Sequence, residues 1–217
     1  MKKASLLILF LAVISPSLLF SQDIGFNGGY VLNRFYDLQE DYGHFNSDYK
    51  IGSGFNMELN VLFIPFKTGR PHPFKLSLNY QKFDGSYEIR NGGLAGESTS
   101  HICTKVSSIE LDWYFLCFQV YKGLQLNLGT AFDLYLTQER TGYVSSFELG
   151  ESSEILIDET KQNLFNWGFT AETYYEIQFS EKWYMVPRYR FYINIPEHSA
   201  AHSSYRHYIN LGILRRI

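Results

Sequence analysis

The chain has 217 residues, enough for one domain or two small ones, and only 19% of its side chains are charged while 18% are aromatic. A formal net charge of −3 leaves no basic footprint for nucleic acid, and so many rings at so low a charge density exclude a disordered chain. The 17 Tyr and 18 Phe suit either a β-rich binding protein or a protein of the membrane interface.

The first 21 residues read as a secretory signal peptide. Lys2 and Lys3 form a positive start, Leu6 to Phe20 an apolar core and Ser21 a small cleavage residue. The mature chain is then 22–217, one domain outside the cytoplasm. No Cys follows the cleavage point, so a lipoprotein anchor is not expected.

Eight stretches of period-two alternation follow, and no convincing amphipathic helix. The first sets Ile24, Phe26, Tyr30 and Leu32 against Gly25, Asn27, Gly29 and Asn33. The second sets Phe55, Met57, Leu59, Val61 and Phe63 against Gly54, Asn56, Glu58 and Asn60. The third sets Phe74, Leu76, Leu78 and Tyr80 against Lys75, Ser77, Asn79 and Gln81. The fourth sets Ile109, Leu111, Trp113, Phe115 and Cys117 against Ser108, Glu110, Asp112 and Tyr114. The fifth, 124–137, sets Leu124, Leu126, Leu128, Phe132, Leu134 and Leu136 against Gln125, Asn127, Asp133, Tyr135 and Thr137. The sixth sets Phe165, Trp167, Phe169 and Ile177 against Asn166, Thr170, Glu172, Tyr174 and Glu176. The seventh sets Trp183, Met185, Tyr189, Phe191 and Ile193 against Tyr184, Arg188, Arg190 and Asn194. The eighth sets Tyr205, Ile209, Leu211 and Ile213 against Arg206, Tyr208 and Asn210.

The connections alternate in length. Long loops are expected at about 35–48, 82–104 and 138–162, short turns at "FKTGRPH", "VYKG" and "SEK", and a polar loop at "EHSAAHSS". Long and short connections then fall at opposite ends of an up-and-down sheet, as in a transmembrane barrel. Only a closed barrel lets a sheet cross lipid, because it leaves no edge of unpaired backbone groups. The predicted fold is therefore all-β: an eight-stranded antiparallel up-and-down transmembrane β-barrel, apolar face to lipid, polar face to the lumen. Phe63, Phe66, Phe118, Tyr121, Phe179, Trp183 and Tyr184 fall near the short turns, where an aromatic girdle belongs. A soluble ligand-binding barrel is the alternative, with Leu126, Phe132 and Leu211 inside; the direction of Asp133 decides between them. The two cysteines, Cys103 and Cys117, lie fourteen residues apart on one extended segment, too far to bridge, with Cys117 expected on the apolar face.

This pattern of signal segment, eight alternating strands, lopsided connections and a final strand at the C-terminus resembles the small outer-membrane β-barrel family, the OmpX-like proteins and the membrane domain of OmpA-like proteins. The resemblance covers the mature chain and rests on pattern rather than on a diagnostic motif. It implies neighbour-to-neighbour antiparallel pairing, strand eight closing on strand one, and location in the outer membrane of a Gram-negative bacterium with both termini periplasmic. It also implies contact with outer-membrane lipid and with the barrel assembly machinery during insertion. Family members often end in an aromatic residue; this chain ends on Ile217.

The inward charges are Glu58, Lys75, Glu110, Asp112, Asp133, Glu172, Glu176, Arg188, Arg190 and Arg206. Charge in a narrow lumen is costly unless paired, so these are expected to form a plugging network in a monomeric barrel. If "SEK" is the turn, Glu172 lies opposite Arg190; a register two residues away pairs Glu176 with Arg188. A second candidate is His202 with Ser204, which resembles the His-x-Ser pair of lipid-modifying barrels, though the nearest acid is Glu197 upstream. His198, His202 and His207, and the acidic run Glu148, Glu151, Glu154, Asp158 and Glu159, are weighed as metal ligands and read instead as solvated loop residues. No catalytic set, cofactor or metal is expected. The role expected is structural or surface interaction through the outer loops.

Overall fold

The computed structural model describes residues 23–36, 45–63, 73–93, 96–148, 151–162, 164–195 and 203–217. The signal segment, His198, His202 and most of the first loop lie outside these described residues.

Among the described residues eleven strands form one antiparallel sheet. They are β1 (Asp23–Tyr36), β2 (Phe45–Lys50), β3 (Gly52–Phe63), β4 (Phe74–Gly93), β5 (Gly96–Tyr121), β6 (Leu124–Glu148), β7 (Glu151–Lys161), β8 (Leu164–Tyr175), β9 (Ile177–Gln178), β10 (Trp183–Ile195) and β11 (Ser203–Arg216). The order β11-β1-β3-β4-β5-β6-β8-β10 returns to β11 through a β10–β11 pairing, so eight strands close a ring. The seam between first and last strand runs from Asp23↔Arg216 to Tyr36↔Ser203 without a slip. At the lower end, Lys122 and Gly123 turn β5 into β6, and Gly123 sits at φ 81°, a left-handed backbone that glycine adopts without steric cost.

Two expected loops are strands. Positions 82–93 and 96–104 continue β4 and β5, which pair as far as Gly93↔Gly96. Positions 138–148 and 151–161 are upper β6 and β7, paired as a hairpin from Gln138↔Lys161 to Glu148↔Glu151. Together with β2, which pairs upper β4, these segments make a sheet that rises above one end of the ring. The sequence shows the alternation there too, as Phe83, Tyr87 and Ile89 against Lys82, Asp84 and Glu88, but with polarity reversed relative to the faces below.

That reversal happens without a register slip. Lys75 to Gly93 pair with Tyr114 to Gly96 in unbroken register, so each face of β4 stays on one side throughout. Below, Lys75, Ser77, Asn79 and Gln81 are buried inside; above, Phe83 and Tyr87 are buried inside while Lys82 and Arg90 are exposed outside. The outside is thus apolar up to Tyr80 and polar from Lys82 onward.

Bulges re-aim three stretches. An extra residue in β6 between Tyr135 and Thr137 turns Gln138 inward and Thr137 outward, against the simple alternation expected. Another at Phe115 in β5 leaves both Phe115 and Leu116 exposed and pairs Cys117 with buried Asn127, so Cys117 faces the lumen rather than the apolar face. A third lies at Val120. Both cysteines are free thiols.

Candidate functional site: the filled lumen

Every second residue of the ring strands points inward, and eight strands enclose a space that side chains can fill. Three layers fill it. The lower layer joins Lys75 of β4, Glu172 of β8, Arg188 of β10 and Glu58 of β3. Lys75 Nζ donates to Glu172 Oε1 at 2.5 Å, and Asn127 Nδ2 donates to the same oxygen at 2.6 Å. Arg188 grips Glu58 with both terminal nitrogens, Nη2 to Oε2 at 2.5 Å. Its Nε lies 2.7 Å from Glu172 Oε2, near enough for charge attraction but off the hydrogen-bond line. Lys75 also sits 5.3 Å and 5.0 Å from the ring centres of Tyr114 and Tyr174.

The middle layer is built on two arginines. Arg190 contacts Asp112 and Glu110, with Glu110 Oε1 at 2.7 Å, and stacks 3.6 Å above the Tyr208 ring. Arg206 of β11 donates to Asp133 Oδ2 at 2.6 Å and lies between the rings of Tyr192 and Phe83, at 4.1 Å and 4.9 Å. Tyr208 donates its hydroxyl to Gln81 Oε1 at 2.7 Å. Guanidinium planes suit this position, because they bind carboxylates by their edge and rings by their face.

The upper layer is aromatic and apolar. Val31, Phe35, Tyr49, Phe83, Tyr87 and Tyr135 belong to one buried cluster that continues into Tyr192 and Tyr208 below. Phe83 meets Phe35 at 6.5 Å and Tyr135 edge-on at 6.3 Å. A Cβ at Gly85 would stand 2.6 Å from the Phe35 ring, so glycine here lets the ring in. Below Lys75 a cavity of about 10 Å³ remains, room for about one water, against Asn27, Asn60 and Arg188.

Nine of the ten expected lumen charges lie in these layers. Glu176 does not. It stands at the lower rim, where Arg216 Nη2 reaches it at 3.1 Å and Arg216 Nε reaches Asp23 at 3.2 Å, a clasp across the seam. Glu172 is opposite Arg190 in register, yet its ion partners are Lys75 and Arg188. Long side chains in a narrow lumen meet across it, so ladder neighbours do not set the ion pairs. Phe35, Phe83 and Tyr87 of the cap lie in segments expected as loops, while Val31 and Tyr135 lie in expected strands; the continued alternation of Phe83, Tyr87 and Ile89 is the signal that points to the cap.

Of the other candidates, Ser204 is buried and faces the lumen, its backbone N–H bound by the Asn194 side chain. Among the described residues no cluster of His, Cys, Asp and Glu is placed to hold a metal. Of the expected lower girdle, Phe118, Tyr121, Phe179 and Trp183 are exposed outside the ring. Phe63 is buried and stacked on Phe74 at 4.7 Å, and Tyr184 turns inward under Arg216. Phe66 lies outside the described residues.

The polarity of the ring defines its class. Phe26, Tyr30, Met57, Phe132, Leu211 and Ile213 are exposed outside, while Asp133, Glu110, Arg190 and Arg206 are inside with no measurable exposure. A soluble barrel would reverse this. A closed antiparallel ring with a lipid-type exterior and a satisfied backbone is a transmembrane β-barrel.

No family model matches the chain, and no curated protein matches it. Among solved structures it is similar to Neisserial surface protein A, with 10% identity over 89% of this chain and 97% of that one, at a TM-score of 0.41. It is similar to OprG of Pseudomonas aeruginosa, with 12% identity over 91% and 97%, at a TM-score of 0.44. It is also similar to the attachment invasion locus protein Ail of Yersinia pestis, with 11% identity over 91% and 99%, at a TM-score of 0.36.

Proposed function

We propose that the protein is an integral outer-membrane β-barrel whose lumen is closed by its charge network and aromatic cap. Its role is structural or one of surface interaction, carried by the sheet that rises above the ring. The observation behind this reading is the polarity inversion along β4. One face meets hydrocarbon up to Tyr80 and water from Lys82, while the other changes from polar to apolar at the same height. A single strand in one unbroken register inverts in this way where it leaves a membrane.

In this reading the tall hairpins face the outside, both ends of the mature chain face the periplasm, and the barrel assembly machinery inserts the chain. The raised sheet offers a contact surface. Among the described residues no strand pairs with the second edge of β7, and Ile155 and Leu156 at its centre are exposed. An open edge with an apolar centre is a template for strand addition by an extended segment of a partner.

Fractionation tests the reading. The mature chain should pellet with membranes and enter solution only with detergent, and protease added to intact cells should cut at the β6–β7 hairpin. A chain that stays in the supernatant without detergent overturns it. The lipid-modifying alternative loses support from Ser204, which faces the lumen instead of an outer rim.

A further inference from the structure

At the height where the exterior changes from apolar to polar, the seam carries a group of side chains that the lumen network does not use. Arg34 of β1 is exposed on the outer face, and its Nη1 donates to the Tyr205 hydroxyl at 3.3 Å. Among the described residues no carboxylate pairs with it. Below it on β11 lies His207, whose Nδ1 shares a 2.6 Å hydrogen bond with the Tyr189 hydroxyl. Phe191 and Tyr205 complete an aromatic wall, with ring centres 5.2 Å and 5.7 Å from that of His207. The register Arg34↔Tyr205 and Leu32↔His207 places the cation one step above the imidazole on the same face. Beneath them the face is hydrocarbon: Tyr30, Phe26, Ile209, Leu211 and Ile213.

We propose that this seam patch is a binding site for one phosphate-bearing lipid, with the headgroup on Arg34 and His207 Nε2 and the acyl chains along the apolar face of β1 and β11. The proposal rests on the outer-membrane reading above. Three features favour this occupant. A guanidinium that is exposed and has no carboxylate partner among the described residues offers its fork of N–H donors to an anion, and phosphate matches that fork. Its position at the upper limit of the apolar belt is where a headgroup lies and where a free anion has no special reason to stay. The rings beside it are the amphipathic type that settles at headgroup level. Lys82 and Lys105 stand at similar height on β4 and β5, but each has an acid close by in the ladder: Asp84 lies two residues from Lys82 and is paired with Lys105, which also pairs with Glu139.

The full mature chain, purified in neutral maltoside micelles, is examined by native mass spectrometry with three probes: phosphatidylglycerol, diacylglycerol of the same chains, and inorganic phosphate. The wild type should retain one phosphatidylglycerol in preference to diacylglycerol. Arg34→Gln should lower that retention about five-fold, the equivalent of about 1 kcal/mol for one cationic side chain at a membrane surface. Lys82→Gln should leave it unchanged, and Arg34→Lys should restore part of it. A shift of the folded band on unheated gels shows that each variant is an intact barrel. Equal retention by wild type and Arg34→Gln overturns the proposal, as does equal retention of diacylglycerol. Displacement of the lipid by millimolar inorganic phosphate assigns the patch to free anions and overturns the lipid assignment. Failure of the outer-membrane reading shows separately, as a chain that fractionates without membranes.

Discussion

At the scale of single residues, the lumen depends on pairing. Arg190 is buried without exposure and serves Asp112 and Glu110 together while covering the Tyr208 ring. Arg190→Ala leaves two carboxylates facing each other in a dry space, and breaking a buried pair by removing one partner costs about 3–5 kcal/mol. The expected outcome is a clear drop in the temperature at which the folded band disappears from unboiled gels. Arg190→Lys should recover only part of the loss, since an ammonium keeps the charge beside Asp112 and Glu110 but lacks the planar face that stacks on the Tyr208 ring. An unchanged midpoint in Arg190→Ala would show that the pair adds nothing. Gly129 makes a different demand. A Cβ there would fall 2.1 Å from the Trp113 carbonyl oxygen across the ladder, so Gly129→Val should force the β5–β6 pair apart. The yield of folded barrel from detergent refolding measures this.

At the scale of elements, the hairpins divide into a ring part and a raised part. β6 pairs β8 from Leu124↔Tyr175 to Tyr135↔Leu164, and pairs β7 only from Gln138 upward. The ring therefore does not need the upper β6–β7 hairpin. Replacing residues 139–160 by an Asn-Gly turn between Gln138 and Lys161, which face each other in the ladder, should leave a folded barrel. Its gel shift should persist and its thermal midpoint should fall by no more than a few degrees, because solvent-facing parts away from buried features contribute little. Loss of the folded form would mean that the raised sheet is needed for closure. Gly123→Ala at the lower turn should cost about 1 kcal/mol, since its backbone is left-handed, and urea midpoints in detergent read that loss.

At the scale of the molecule, the proposed function has the three filled layers close the ring to solutes. Ions would have to pass the Lys75–Glu172–Arg188–Glu58 layer, the Arg190 and Arg206 layer and the aromatic cap. In planar bilayers the wild type should show at most small, rare conductance events, and Arg190→Ala should show more. A large, stable, ohmic channel from the purified wild type would overturn the closed-lumen reading.

The chain alone determined which faces of the strands are apolar, because period-two alternation is local and survives any register. The eight ring strands, their antiparallel order and nine of the ten inward charges, all but Glu176, follow from it. Three things belong to tertiary structure. Bulges at Phe115 and beside Leu136 shift the faces by one residue, which redirects Cys117 and Gln138; such insertions appear only when two strands are paired. The ion pairs join residues far apart in the ladder, as Arg188 with Glu58 and Arg190 with Asp112, because charges meet across the lumen rather than along the sheet. The expected loops at 82–104 and 138–162 are strands over 82–93, 96–104, 138–148 and 151–161; on β4 Phe83 and Tyr87 face inward, because above the belt only the inside is dry, whereas Tyr143, Phe147, Ile155 and Leu156 on the raised β6–β7 pair stay exposed. The same alternation thus carries opposite meaning on the two sides of one height, and only the closed ring shows where that height lies.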